Sequence, residues 1–193
     1  MEFHNCEVCT LVLMLMAVSF ASDLRIVARE EWNASDPTEI PECLQTPVPY
    51  VFVHHTYEPE ICFGDECKRS VRNIQTFHMK VRGWSDIGYT FLIGGDGIVY
   101  EGRGWGVVGA HTYRYNKVGY GLCLIGDYRK DKPTEESLES LKQLIELGVS
   151  CGQIRTNYTL LGHRDVGNTE CPGDALYKEI QTWEHFNLTN FIH

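Results

Sequence analysis

Apolar positions along this chain follow two rhythms, one of helices and one of buried strands. Between Cys67 and about Arg82, Val71, Ile74, Phe77 and Val81 recur at three- and four-residue spacing, with Lys68, Arg69, Arg72 and Lys80 on other faces. This predicts an amphipathic helix, and Gly83 ends it. A second helix is predicted to open at Pro133-Thr134-Glu135-Glu136, a capping residue and acidic first turn, with Leu138, Leu141, Leu144, Ile145 and Val149 as its apolar stripe. A third runs from Asp174 to about Trp183. The strand signals are continuous apolar runs. Tyr50 to His54 is apolar on both faces and so belongs inside a sheet, while Tyr120 to Ile125 and Tyr158 to Leu161 read the same way. Gly88 to Ile93 and Ile98 to Tyr100 flank Gly94-Gly95-Asp96-Gly97, a hairpin signal.

Between these elements, Arg25 to Trp32 is a short lead-in whose Trp32 packs on the domain, and Pro37, Pro41, Pro47 and Pro49 break regular structure before the first strand. The stretch from Glu101 to Lys117, with Gly102, Gly104, Gly106 and Gly109, reads as an irregular surface loop of the kind that binds ligands. Strands interleaved with helices, plus one hairpin, predict an α/β fold: a single domain with a central mixed β-sheet flanked by helices. The 193 residues suit one domain with its own core.

The N-terminus changes the picture of where the chain acts. Leu11 to Val18 is an apolar core too short to span a bilayer, followed by Ser19-Phe20-Ala21. This predicts a signal peptide over 1–22, cleaved after Ala21 or Ser22, a mature domain over 23–193, and a secreted, extracellular protein with no stable membrane insertion. Glu2 and Glu7 stand where a positive n-region is expected, which leaves an uncleaved anchor as the alternative. Asn33-Ala34-Ser35, Asn157-Tyr158-Thr159 and Asn187-Leu188-Thr189 are acceptor sequons that agree with export of a glycoprotein. The net charge of −9 carries no electrostatic footprint for nucleic acid or an anionic membrane.

Cleavage removes Cys6 and Cys9 and leaves Cys43, Cys62, Cys67, Cys123, Cys151 and Cys171 in an oxidising compartment. Cys62 and Cys67 bracket a turn-rich loop and are the expected disulfide, worth only about 2 kcal/mol for so small a loop. Cys123, inside an apolar run, reads as a buried free thiol. Whether Cys43 meets Cys151 is open.

The densest chemistry lies in Leu160 to Gly173, which packs an imidazole, a thiol and a hydroxyl into one loop entered from a strand. His163 and Cys171 are candidate metal ligands. Catalytic zinc takes three protein groups and a water, and the best third donor is His54, which closes its own apolar strand. If these strands run parallel, their ends share one edge of the sheet. Two neutral imidazoles and a thiolate around Zn²⁺ would lower the pKa of a water to about 7, ready to attack a carbonyl. Tyr89 and Thr169 offer hydroxyls for the oxyanion, and Tyr89 alternatively orients the water. Plainer roles compete: a strand-end histidine as a hydrogen-bonded surface group, Cys171 as a disulfide partner, Trp84 and Trp105 as packing anchors or sugar platforms, Arg82 as a helix-end charge, His78 as a satisfied core histidine. No His-Glu-x-x-His helix of a zinc protease occurs.

From about Arg25 to Phe186 the chain resembles the peptidoglycan recognition protein family, related to phage-type N-acetylmuramoyl-L-alanine amidases. Val53-His54-His55-Thr56, Phe77-His78-Met79, Gly83 to Tyr89, Tyr100 to Trp105, Gly109-Ala110-His111, Gly162 to Asp165 and Cys171-Pro172-Gly173 carry the resemblance. It implies that His54, His163 and Cys171 bind zinc with Tyr89 and Thr169 assisting. It also implies that His55, Thr56, His78, Arg82, Tyr89 and His111 line a cleft for bacterial peptidoglycan and muramyl peptides. Gly83-Trp84, with Arg103 at the matching basic position, implies a preference for diaminopimelate-type stems, whose extra carboxylate a guanidinium pairs bidentately. The implied activity is cleavage of the lactyl-L-alanine amide, in innate immunity or control of bacteria. A non-catalytic peptidoglycan receptor is the alternative; such members usually lack part of the ligand set. Several members form a second disulfide through a cysteine where this chain has Ser85, so Cys43 loses that partner.

Overall fold

The computed structural model describes residues 24–189, so the signal reading of 1–22, with Cys6 and Cys9, lies outside the described residues. In chain order the elements are β1 (Ile26–Val27), a 3-10 turn (Arg29–Trp32), β2 (Val48–His55), α1 (Asp65–Lys80), β3 (Phe91–Ile93), β4 (Val99–Glu101) and β5 (Gly119–Leu124). Then come α2 (Glu135–Ser150), β6 (Ile154–Gly162), a second 3-10 turn (His163–Asp165) and α3 (Asp174–Ile180). The strands form one sheet in the order β1-β4-β3-β5-β2-β6. Only β3 and β4 pair antiparallel; β2 is parallel to both of its neighbours, β5 and β6. The sheet is mixed, and β2 lies inside it as its apolar run requires.

Each face of the sheet carries its own core. One gathers Val51, Val53, Leu122 and Leu124 with Leu138, Leu141, Leu144 and Ile145 of α2 and Leu176 and Ile180 of α3. The other gathers Trp32, Val71, Ile87, Leu92, Tyr100 and Cys123 on the α1 side. Helix α2 begins where its Thr134 side chain accepts from the Ser137 amide, a cap worth about 1 kcal/mol. Trp32 is fully buried, and its indole donates to the Glu101 carbonyl.

Several expected boundaries and faces move. Helix α1 buries Cys67, Ser70, Val71, Gln75 and His78, while Phe77 is 45% and Val81 70% exposed. The inward face is therefore turned from the stripe read by periodicity. It tolerates polar residues because Gln75 donates to Asp86 and His78 accepts from the Gly88 amide. Strand β3 begins at Phe91, since Gly88 and Tyr89 bond to loop residues instead: the Ala110 amide donates to the Gly88 carbonyl and the Arg103 amide to the Tyr89 carbonyl. Strand β6 reaches back to Ile154, with a register break between the Val48–Ile154 and Tyr50–Thr159 pairs. Helix α3 ends at Ile180, before Trp183.

Cys62 and Cys67 form a disulfide; Cys123 is a buried free thiol. Cys151 is also free, so the Cys43–Cys151 pairing does not form. Among the described residues no helix is long and apolar enough to cross a membrane.

Candidate metal centre and cleft

Parallel pairing brings the C-terminal ends of β2, β5 and β6 to one edge of the sheet. His54 sits one residue from the end of β2, and His163 is the first residue after β6. Cys171 returns from the following loop. One ligand atom from each of the three lies within 4.8 Å of the others, the geometry anticipated from two strand ends sharing an edge. Cys171 Sγ is 3.6 Å from His54 Nδ1, and the two imidazole centroids are 4.6 Å apart.

The loop that returns Cys171 is tied down at several points. The Gly162 amide donates to Asp165 Oδ2 at 2.7 Å, and the Tyr177 hydroxyl donates to Asp165 Oδ1 at 2.5 Å, which fixes the turn carrying His163. Arg164 spans the rest. Its amide donates to the Cys171 carbonyl at 2.9 Å, its Nη1 to Asp174 at 2.7 Å and its Nη2 to the Glu170 carbonyl. Thr169 is exposed, and its hydroxyl accepts from the Cys171 amide at 3.2 Å.

Electrostatics leave both imidazoles uncharged at neutral pH. Burial, then the neighbouring His163 and His111, drives His54 well below the usual histidine range, and burial lowers His163. Burial pushes the Cys171 thiol up to about 12, against the pull of the His55 amide and Arg164. A dication at this point reverses that logic, because the ligand form of cysteine is the thiolate and its proton leaves on binding. Two neutral nitrogens and one thiol sulfur suit zinc.

His54 and His163 of this trio line a cleft of about 730 Å³ between the sheet edge and α1. His54, Thr56, His78, Arg82, Trp84, Tyr89, His111 and His163 all line it. Gly83 adopts φ +70°, a left-handed turn that lets the chain double back and place the Trp84 ring 4.6 Å from the His78 ring. His78 Nδ1 accepts from the Gly88 amide at 3.0 Å, so the proton of its neutral ring sits on Nε2 as a donor. Burial, then Arg82 and Arg103, lowers His78 to about 4. The Tyr89 ring is 5.4 Å from His54 and 5.6 Å from His78. Burial first, with Cys123 and Cys171 after it, raises the Tyr89 phenol well above its ordinary value, so it remains an O–H donor.

Other anticipated residues stand elsewhere. His55 alternates to the opposite face of β2, away from the residues lining the cleft, and accepts from the Tyr128 amide at 3.3 Å. Arg103 lies outside that lining and borders a separate cavity of about 210 Å³. Its Nε donates to the Ile87 carbonyl at 2.7 Å and its Nη1 to the Val108 carbonyl at 2.9 Å. Trp105 packs between Phe91 and Tyr120 as a core anchor. Sequence reasoning did not single out Arg69, Asn73 or Phe77 as cleft residues, because an outward helix face next to a site looks like any solvated face. It also passed over Thr112, whose hydroxyl contacts His54 and His111; only its place after His111 in the glycine-rich loop hints at it.

The fold and site define a class: an α/β domain with a His-His-Cys cluster at its parallel strand ends, beside a cleft lined by two of its members. Residues 44–174 match the family described as N-acetylmuramoyl-L-alanine amidase. Peptidoglycan-recognition protein LB of Drosophila melanogaster is 47% identical over 167 residues, covering 86% of this chain and 72% of the relative. Its wild-type structure aligns with a TM-score of 0.84, over 87% of this chain and 99% of that one. Peptidoglycan recognition protein LE, solved in complex with tracheal cytotoxin, a monomeric diaminopimelic acid-type peptidoglycan, is 44% identical with a TM-score of 0.83, covering 84% and 95%. The human N-acetylmuramoyl-L-alanine amidase is 43% identical over 164 residues, covering 83% of this chain and 28% of the relative. The chain belongs to the peptidoglycan recognition protein family.

Proposed function

We propose that this protein is a secreted, zinc-dependent N-acetylmuramoyl-L-alanine amidase that cleaves the lactyl-L-alanine amide of bacterial peptidoglycan. The observation that carries the reading is the complete donor set, His54, His163 and Cys171 within 4.8 Å, two of which, His54 and His163, line the cleft. Segment 1–22 acts as the signal peptide and 23–193 as the working domain. Zinc, when bound, supplies Lewis acidity and a water of pKa about 7.

The chain's own groups do the rest. His54 and His163 offer neutral nitrogens and Cys171 a sulfur whose proton leaves on binding. Tyr89 keeps its proton and donates it as a hydrogen bond to the carbonyl oxygen where negative charge develops. Thr169 holds the Cys171 backbone and offers a second hydroxyl. His78, Arg82, Trp84 and Thr56 hold the muramyl peptide along the cleft. Gly83-Trp84 and the LE relative's bound ligand support a preference for diaminopimelate-type stems, with Arg103 as the contributing cation.

Stem-peptide release from a defined diaminopimelate-type muropeptide, read by mass spectrometry, tests this directly. Release that stops with a chelator and returns with zinc is the expected result. Tight binding without release at any zinc concentration would make the protein a receptor.

A further inference from the structure

Two hydrogen bonds meet on one buried hydroxyl. Thr112 Oγ1 lies 3.2 Å from His54 Nε2 and 2.9 Å from His111 Nδ1, and Thr112 is 1% exposed. A threonine hydroxyl has one proton, so it donates to one ring and accepts from the other. Two arrangements satisfy both contacts. In the first, His54 Nε2–H donates to Thr112, whose hydroxyl donates to His111 Nδ1; His54 Nδ1 is then a bare lone pair. In the second the order reverses, and His54 carries its proton on Nδ1. That nitrogen is the one 3.6 Å from Cys171 Sγ, so a proton there would occupy the lone pair a metal needs.

The aim of the hydroxyl is built from both sides. Asn116 Oδ1 accepts from the His111 amide at 2.9 Å and the Thr112 amide at 2.8 Å, which pins the backbone of both residues. The His111 ring lies in a slot between two glycines. A Cβ on Gly109 would fall 2.4 Å from His111 Cδ2, and one on Gly121 2.2 Å from Cγ, so neither side has room for any other residue. Thr112 is the side chain that meets a ring nitrogen of His111, alongside a hydrogen bond between the ring and the Gly119 backbone.

We propose that Thr112, backed by His111, is a positioning residue that holds His54 in its Nε2–H tautomer and so presets the metal site before zinc arrives. The inference rests on the zinc reading above and extends it to residues that touch no metal. Outer partners of this kind fix the ring's tautomer and orientation. Here a cleft residue, His111, is joined to a ligand, His54, through a single hydroxyl.

Two measurements on the purified full chain test it. In metal-free protein, long-range ¹H–¹⁵N spectra should show His54 protonated on Nε2, and Thr112→Val should give a mixture of tautomers. By chelator competition, Thr112→Val should bind zinc about 10–100-fold more weakly, with Thr112→Ser restoring most of the loss. A wild-type His54 protonated on Nδ1 overturns the proposal whether or not the valine variant folds. A folded Thr112→Val that keeps both the zinc affinity and the tautomer overturns it as well. Amide hydrolysis enters neither readout, so an inactive protein that still shows both effects would sink the amidase reading and keep this one.

Discussion

The backbone amide of His55 donates to the sulfur of Cys171 across 3.4 Å. These residues are 116 positions apart in the chain, yet the end of β2 thereby serves two members of the candidate metal cluster: it carries His54 and offers a donor to the Cys171 sulfur. Amide donors to an anionic acceptor are among the stronger hydrogen bonds, and this one pulls the thiol pKa down against burial. The site is a property of the sheet edge, not of the cysteine loop alone.

Tyr89 provides the sharpest separation of binding from chemistry. In the proposed mechanism its hydroxyl acts where charge develops, so Tyr89→Phe should lower kcat by about 10²–10³ while KM changes little. Steady-state kinetics on a soluble muropeptide decide it. A fall confined to KM would assign Tyr89 to substrate binding.

His78 gives the protein a pH-dependent weakness. Its folded pKa is lowered to about 4, below the ordinary 6.5, so the unfolded state binds more protons between those values. Stability is therefore full above about pH 6.5 and is lost as pH falls toward 4. Thermal unfolding from pH 8 to pH 4 should show this decline, and His78→Gln should flatten it by roughly 1–3 kcal/mol. An identical slope in both proteins would remove His78 from the explanation.

Arg103 joins the carbonyls of Ile87 and Val108, and so ties together the segments leading to Tyr89 and His111. Arg103→Ala should cost about 1–3 kcal/mol of stability. It should also reduce the preference for diaminopimelate over lysine stems, read as the ratio of kcat/KM for the two muropeptides. A lower Tm with that ratio unchanged would leave Arg103 as a clamp between loops and nothing more.

Continuous apolar runs located β2 and β5 because a strand buried on both faces leaves no alternative pattern, and the cap and stripe of α2 located that helix for the same reason. The convergence of His54 and His163 was legible because each closes such a run. The face of α1 was not, since Gln75 and His78 turn inward through hydrogen bonds to Asp86 and Gly88, partners that no local pattern announces. The carbonyl contacts of Arg103 and the role of Thr112 were not legible on similar grounds. The Arg103 partners lie in two loops, and the Thr112 contact to His54 spans 58 positions. Spacing reports what lies on one element; it is silent on which loop residue meets a strand end.

The most direct measurement sets wild type beside Cys171→Ser on one diaminopimelate-type muropeptide, scoring binding and stem-peptide release in the same samples. The prediction is comparable binding by both, with zinc-dependent release by the wild type alone. Release by Cys171→Ser at the wild-type rate, or binding without release by the zinc-loaded wild type, would contradict it.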